Sequence, residues 1–184
     1  MSFSRGKKKS EPLSEAALYE YAANALGRRM RTVAELSRLM RNRVEPGESG
    51  KAKIDAVLAR LKEYGYLNDA DFAANYARLR QENASFGKRR VRQDLAVKGV
   101  HPEVIAATLE TAYEDVNEEE LARRHLERKG VKKPANDKEA ARVMRMLVRA
   151  GFASGAIYAI LKKWDVPEEE LAGLEQVEDG PAEG

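Results

Sequence analysis

Cysteine is absent from this chain of 184 residues, tryptophan occurs once and histidine twice. Without a thiol there is no disulfide and no thiolate-bound metal, which suits a reducing compartment. His101 and His125 are the only histidines and match no HExxH or clustered spacing, so no metal site is expected. Glycine-rich phosphate loops, the dinucleotide GxGxxG and the nucleophile elbow GxSxG are all missing. Asp69 and Asp71 could be imagined as a metal pair, but helix capping accounts for them. His125, beside Arg124 on a charged segment, reads as a surface residue. No stretch reaches the ~20 consecutive apolar residues of a membrane span, and the first ten residues lack the apolar centre of a signal peptide. These absences point away from an enzyme, a cofactor and a membrane, and towards a cytoplasmic location.

Charge is plentiful instead: 34% of the residues are charged and 43% hydrophobic, enough for a core under heavily charged outer faces. The net charge of +3 is unevenly spread. Arg5, Lys7, Lys8 and Lys9 make residues 1–10 an arm of +4, and eight acids with no base make residues 165–184 a tail of −8, so residues 11–164 hold +7. A moderately basic body of this kind fits a polyanionic partner.

A Leu followed five positions later by an apolar residue closes three segments: Leu39 to Val44, Leu95 to Val100 and Leu147 to Phe152. The spacing of roughly fifty residues indicates one supersecondary unit used three times, whose stacked copies offer a long surface to a partner. Helical periodicity fills each unit with three helices and leaves no credible strand. Ser14 is placed to cap the first helix. Thr32 and Glu35 form a capping box in which each satisfies the other's amide. Pro46, Gly47, Ser49 and Gly50 form a loop, and Asn68 caps the next unit. Tyr21-Ala22, Phe72-Ala73 and Leu121-Ala122 echo one another, as if a small residue were needed where helices touch closely. The expected architecture is therefore all-α, an elongated array of three tandem three-helix repeats. Residues 13–66, 67–115 and 116–166 are the repeats, flanked by a disordered basic arm (1–12) and a disordered acidic tail (167–184).

The clearest local clue is Gly87-Lys88-Arg89-Arg90-Val91-Arg92. Four cations crowd a helix start, where the dipole disfavours positive charge. Free helix-start amides together with Lys and Arg would make an anion site, with phosphate the obvious occupant. Arg28, Arg29 and Arg31 precede the middle helix of the first repeat, Lys98 ends that of the second, and Arg142, Arg145 and Arg149 form one stripe on that of the third. Their recurrence at equivalent places suggests one basic surface. Tyr64, Gly65, Tyr66 and Leu67 join the first two repeats. Tyrosines there could stack nucleobases, but a hydrophobic seam is the favoured reading. Trp164 reads as core or helix-end packing.

The segments Arg29-Met30-Arg31-Thr32-Val33-Ala34-Glu35-Leu36, Leu61 through Ala73, Gly87 through Leu95, Lys98-Gly99-Val100 and Arg149-Ala150-Gly151-Phe152 resemble the RecX family, modulators of the recombinase RecA. The resemblance spans roughly residues 14–163 and is most specific at Gly65-Tyr66-Leu67-Asn68-Asp69 with Phe72-Ala73. It implies a curved, all-helical protein that binds in the groove of RecA filaments on single-stranded DNA. Lowered RecA ATPase, strand exchange and co-protease activity would follow, and with them effects on recombination, DNA repair and the SOS response. The first repeat departs from the family pattern, with Arg43-Val44 where a Lys-Gly-apolar ending is usual. A monomer that contacts RecA and the phosphates of single- or double-stranded DNA is the resulting expectation. The alternative is a stand-alone DNA-binding protein of helix-turn-helix-like units, although Arg and Lys with few amides favour backbone contact over base reading.

Overall fold

The computed structural model describes residues 11–164 and 166. The basic arm up to Ser10 and the acidic tail from Pro167 lie outside the described residues. Within them the chain forms nine helices and no strand: α1 (Glu15–Arg28), α2 (Val33–Arg41), α3 (Glu48–Glu63), α4 (Asp69–Ala84), α5 (Lys88–Val97), α6 (Pro102–Ala112), α7 (Glu118–Arg128), α8 (Asp137–Arg149) and α9 (Ser154–Lys163).

Side chains set the helix starts. Ser14, Thr32, Asn117 and Asn136 each accept an amide hydrogen from the first turn of the helix they precede, and the Asn68 oxygen accepts from Ala70 and Asp71. Four helix ends, those of α3, α5, α7 and α8, are followed by a left-handed glycine. At the end of α8 the Phe152 amide donates to Leu147 and the Gly151 amide to Val148, with Gly151 at φ +87°. This is a Schellman ending, in which the third-last helical residue and the one after glycine are characteristically apolar, and it accounts for the Leu-to-apolar spacing at Leu147 and Phe152. The ends of α3 (Leu61, Gly65, Tyr66) and α7 (Leu126, Gly130, Val131) carry the same pair of hydrogen bonds. After α2 the device is incomplete: Arg43 donates to Met40, and its own carbonyl accepts from Leu13 at 2.7 Å.

The described residues divide into two compact units, one up to Phe72 with Lys98–His101, the other Ala73–Val97 with the residues from Pro102 onward. The first unit is cored by Leu18, Leu36, Met40, Val57 and Leu61 from α1, α2 and α3. The second buries Val91, Leu95, Leu109, Leu121, Leu126, Leu147, Phe152, Ile157 and Leu161. A fully buried Leu or Ile stabilises by roughly 1.5–3 kcal/mol relative to an exposed one. Ala22, Ala73 and Ala122, the echoed small residues, are all completely buried.

Several local expectations change. Ser49 and Gly50 belong to α3 and not to a loop; a Cβ on Gly50 would sit 1.9 Å from the Glu45 carbonyl oxygen. The capping box is half made. Thr32 accepts from the Glu35 amide at 3.0 Å, but the Glu35 carboxylate turns away to pair with Lys98 at 3.1 Å. The neighbouring Val33 amide donates to the Asp69 carboxylate, at 2.9 Å. His125 is 3% exposed. Its Nδ1 donates to the Ala84 carbonyl at 2.9 Å, and its ring lies between Phe86 and Phe152. It is a core residue, not a surface one.

Candidate polyanion-binding site

The start of α5 is fixed by backbone contact with the end of α8. Gly87 donates to Ala150 at 2.8 Å and Arg89 to Gly151 at 3.1 Å. A Cβ on Gly87 would lie 2.3 Å from the Gly151 oxygen, and one on Gly151 only 2.1 Å from the Arg90 nitrogen. Two glycines therefore permit an approach that no other residue pair would allow. Two of the amides expected to receive an anion are already committed to carbonyls, which corrects the helix-start reading. The same contact explains the cations. The carbonyl end of α8 carries partial negative charge and lies where α5 alone would reject Lys and Arg.

What remains for a ligand is the side chains. Lys88, Arg89 and Arg92 line a pocket of about 540 Å³ walled by Tyr113, Val116 and Glu118. Lys88 and Arg92 have no ion-pair partner among the described residues. Glu118, the acid in that wall, accepts from the Ala153 amide at 3.4 Å. Tyr113 donates its hydroxyl to the Phe86 carbonyl at 2.9 Å, and burial pushes its pKa up to about 12. It stands in the wall as a neutral group.

Arg90 differs from its neighbours. Its Nε pairs with Asp94 at 3.0 Å and its guanidinium lies 5.6 Å from the Phe86 ring centre. Asp94 also accepts from the Tyr76 hydroxyl at 3.0 Å, whose pKa is raised by burial and, to a lesser degree, by that carboxylate. On α8, Arg142, Arg145 and Arg149 are not buried. Arg149 donates to the Arg145 carbonyl at 3.2 Å, whereas Arg142 joins Lys129, Lys132 and Lys133 around a second pocket of about 380 Å³ floored by Val143 and Met146. Sequence reasoning missed those three lysines because they lie between helices, where no periodicity marks them; their signal was the density of Lys in one short loop.

In the first unit Arg28 and Arg29 are exposed, and Arg31 is half-buried with its Nε on the Ala25 carbonyl at 3.3 Å. Lys98 pairs with Glu35, lies 5.7 Å from the Phe72 ring centre, and its carbonyl accepts from the Thr32 hydroxyl at 2.7 Å. Arg90, Lys98 and Arg31 thus hold structure. Lys88, Arg89, Arg92 and Arg142, with the loop lysines, line pockets.

The helix triplet at the centre of the chain has a named counterpart. Residues 68–109 match the family model described as RecX, second three-helix domain. The "Regulatory protein RecX" of Mycolicibacterium smegmatis is 36% identical over 138 residues, covering 72% of this chain and 71% of that protein. The chain belongs to the RecX regulatory family. A second RecX protein, from Leptothrix cholodnii, is 33% identical over 144 residues and is covered to 87% of its length. The fold agrees as well: the crystal structure of RecX from Lactobacillus salivarius superposes with a TM-score of 0.66 at 20% identity, over 82% of this chain and 96% of that one. RecX membership makes this a regulatory protein, and no helix among its described residues is long and apolar enough to cross a membrane.

Proposed function

We propose that this protein binds RecA filaments assembled on single-stranded DNA and lowers their ATPase, recombination and co-protease activities. It acts in the cytoplasm as a monomer, without metal, cofactor or chemistry of its own. The observation that carries the reading is the trio Lys88, Arg89 and Arg92 around one pocket. Two amides of that helix start are satisfied by carbonyls, so an anion there would be met by side chains, with Lys88 and Arg92 the two that hold no ion pair among the described residues. Phosphates of the DNA, or acidic groups of the filament, are the matching partners, and Lys129, Lys132, Lys133 and Arg142 extend the same chemistry within that unit.

The deciding experiment measures RecA ATPase on single-stranded DNA with substoichiometric protein, comparing wild type with Lys88→Gln/Arg89→Gln/Arg92→Gln. Glutamine is chosen over glutamate because acids would face the carbonyl end of α8. The wild type should depress ATPase. The variant should fold normally, lose most of that effect, and bind DNA with a salt slope shallower by about 0.7 for each single-strand phosphate it no longer neutralises. Undiminished ATPase with wild-type protein, alongside tight DNA binding, would instead make it a stand-alone DNA-binding protein.

A further inference from the structure

Arg60 of α3 is flanked by two rings: its guanidinium carbon lies 4.4 Å from the centre of Tyr19 and 5.7 Å from that of Tyr64. The Tyr64 ring is in turn 6.4 Å from Tyr66, at 56°. The four side chains form a ladder within the first unit. Its outer rungs face solvent, Tyr64 being 56% and Tyr66 67% exposed, while Leu67 beside them is buried. Leu67 belongs to the core of the first unit, and the two exposed tyrosines do not form the expected hydrophobic seam.

The exposure of Tyr66 is unusual for its place in the chain. It follows the left-handed glycine of a Schellman ending, where an apolar residue ordinarily packs back on its helix. Phe152 occupies the same place after α8 and is 1% exposed, and Val100, after Gly99, is 4% exposed. At Tyr66 the position carries an aromatic ring turned outward. The backbone there is held firmly, with Tyr66 donating to Leu61, Gly65 to Lys62 and Tyr64 to Arg60. Gly65 has nothing near its missing Cβ, so the turn is not crowded by neighbours. Arg60 has no ion-pair partner among the described residues, so the ladder also keeps a positive charge.

We infer that Tyr64 and Tyr66, with Arg60 behind them, form a stacking platform for unpaired nucleobases. Rings on a fixed backbone with open faces and a stacked guanidinium suit bases of any identity. Affinity gained by stacking depends on contact between faces and not on counterion release, so it is nearly independent of salt. A duplex hides its base faces, so the platform selects single strands. This inference rests on the proposal that the protein works on single-stranded DNA, and adds an interaction distinct from the phosphate-directed cations of the second unit.

The test uses the full chain and fluorescence anisotropy across a salt series, with a labelled thymidine strand and an all-abasic strand of equal length. Wild type should prefer the thymidine strand. Tyr64→Ala/Tyr66→Ala should bind that strand roughly tenfold or more weakly, as a shift parallel in log salt, and bind the abasic strand as before. Tyr64→Phe/Tyr66→Phe should bind as wild type. Equal wild-type binding to both strands overturns the inference, as does an alanine variant that holds thymidine normally. An alanine variant that keeps DNA binding yet loses its effect on RecA also overturns it, assigning the rings to a protein partner. The proposed function fails separately, if wild type leaves RecA ATPase unchanged while still preferring bases.

Discussion

The Gly87 amide donates to the Ala150 carbonyl at 2.8 Å, so the start of one helix and the end of another meet through backbone alone. The first unit has a counterpart in which a side chain takes part: the Thr32 hydroxyl donates to the Lys98 carbonyl, and a Cβ on Gly99 would come 2.5 Å from that of Ala34. In both places a left-handed glycine after a middle helix sits against the first turn of another middle helix. Arg43 stands at the corresponding place after α2, its carbonyl taken by Leu13.

Replacing Gly151 by Ala should therefore be severe. The substitution combines an unfavourable positive φ with a methyl group 2.1 Å from the Arg90 nitrogen, and a loss of at least about 2 kcal/mol is expected in urea unfolding. Gly130→Ala shares the positive φ but meets open space, so it should lose only about 1 kcal/mol. Gly27→Ala, inside α1 with nothing nearby, should gain roughly 0.5–1 kcal/mol.

Arg90 and its neighbours should separate cleanly. Arg90→Met removes a part-exposed ion pair with Asp94 and should lower stability by no more than about 1 kcal/mol. The salt slope of DNA binding should stay as in wild type. An equal loss of slope in Arg90→Met and Arg92→Gln would place Arg90 among the ligand-facing cations.

His125→Leu should destabilise by roughly 1–3 kcal/mol, because the buried ring is lost and the part-buried Ala84 carbonyl loses its donor. Chemical denaturation measures the loss. RecA inhibition by the folded fraction should be unchanged, since the ring is buried between two phenylalanines.

Tyr113 sets an alkaline limit. Its pKa is raised to about 12 in the folded protein, so folding favours the neutral phenol. That contribution is complete below the unfolded value near pH 10 and disappears as pH rises towards 12. Tyr113→Phe should be less stable at neutral pH by about 1 kcal/mol, having lost its bond to Phe86. It should also show a flatter decline in stability above pH 10, measured by urea unfolding at fixed pH values.

Local signals carry much of the fold. Ser14, Thr32 and Asn68 announce helix starts because capping is settled within three residues, and the Leu-to-apolar ending is visible because a Schellman turn is complete within six. The glycine joint is different: Gly87 and Ala150 are far apart in sequence, and a glycine needed for close approach looks like any loop glycine. The charged neighbours of His125 disguise it as a surface residue, although it lies on one helix face with Leu121 and Ala122. Of the cations, charge alone marks the set; the tie of Arg90 to Asp94 is an i,i+4 pair that helical spacing could have shown, whereas that of Lys98 to Glu35 joins residues far apart in sequence, which periodicity cannot supply.

The carbonyls of Ala150 and Gly151 also bear on how this surface can change over generations. A helix start normally constrains its own side chains, selecting acids and disfavouring bases. Here a distant stretch of main chain has met that demand, and main chain does not mutate. Positions 88 and 92 can therefore trade one base for another while the helix beneath them stays as it is, whereas an acid would face those same carbonyls, so the sign of this surface is easier to keep than to reverse.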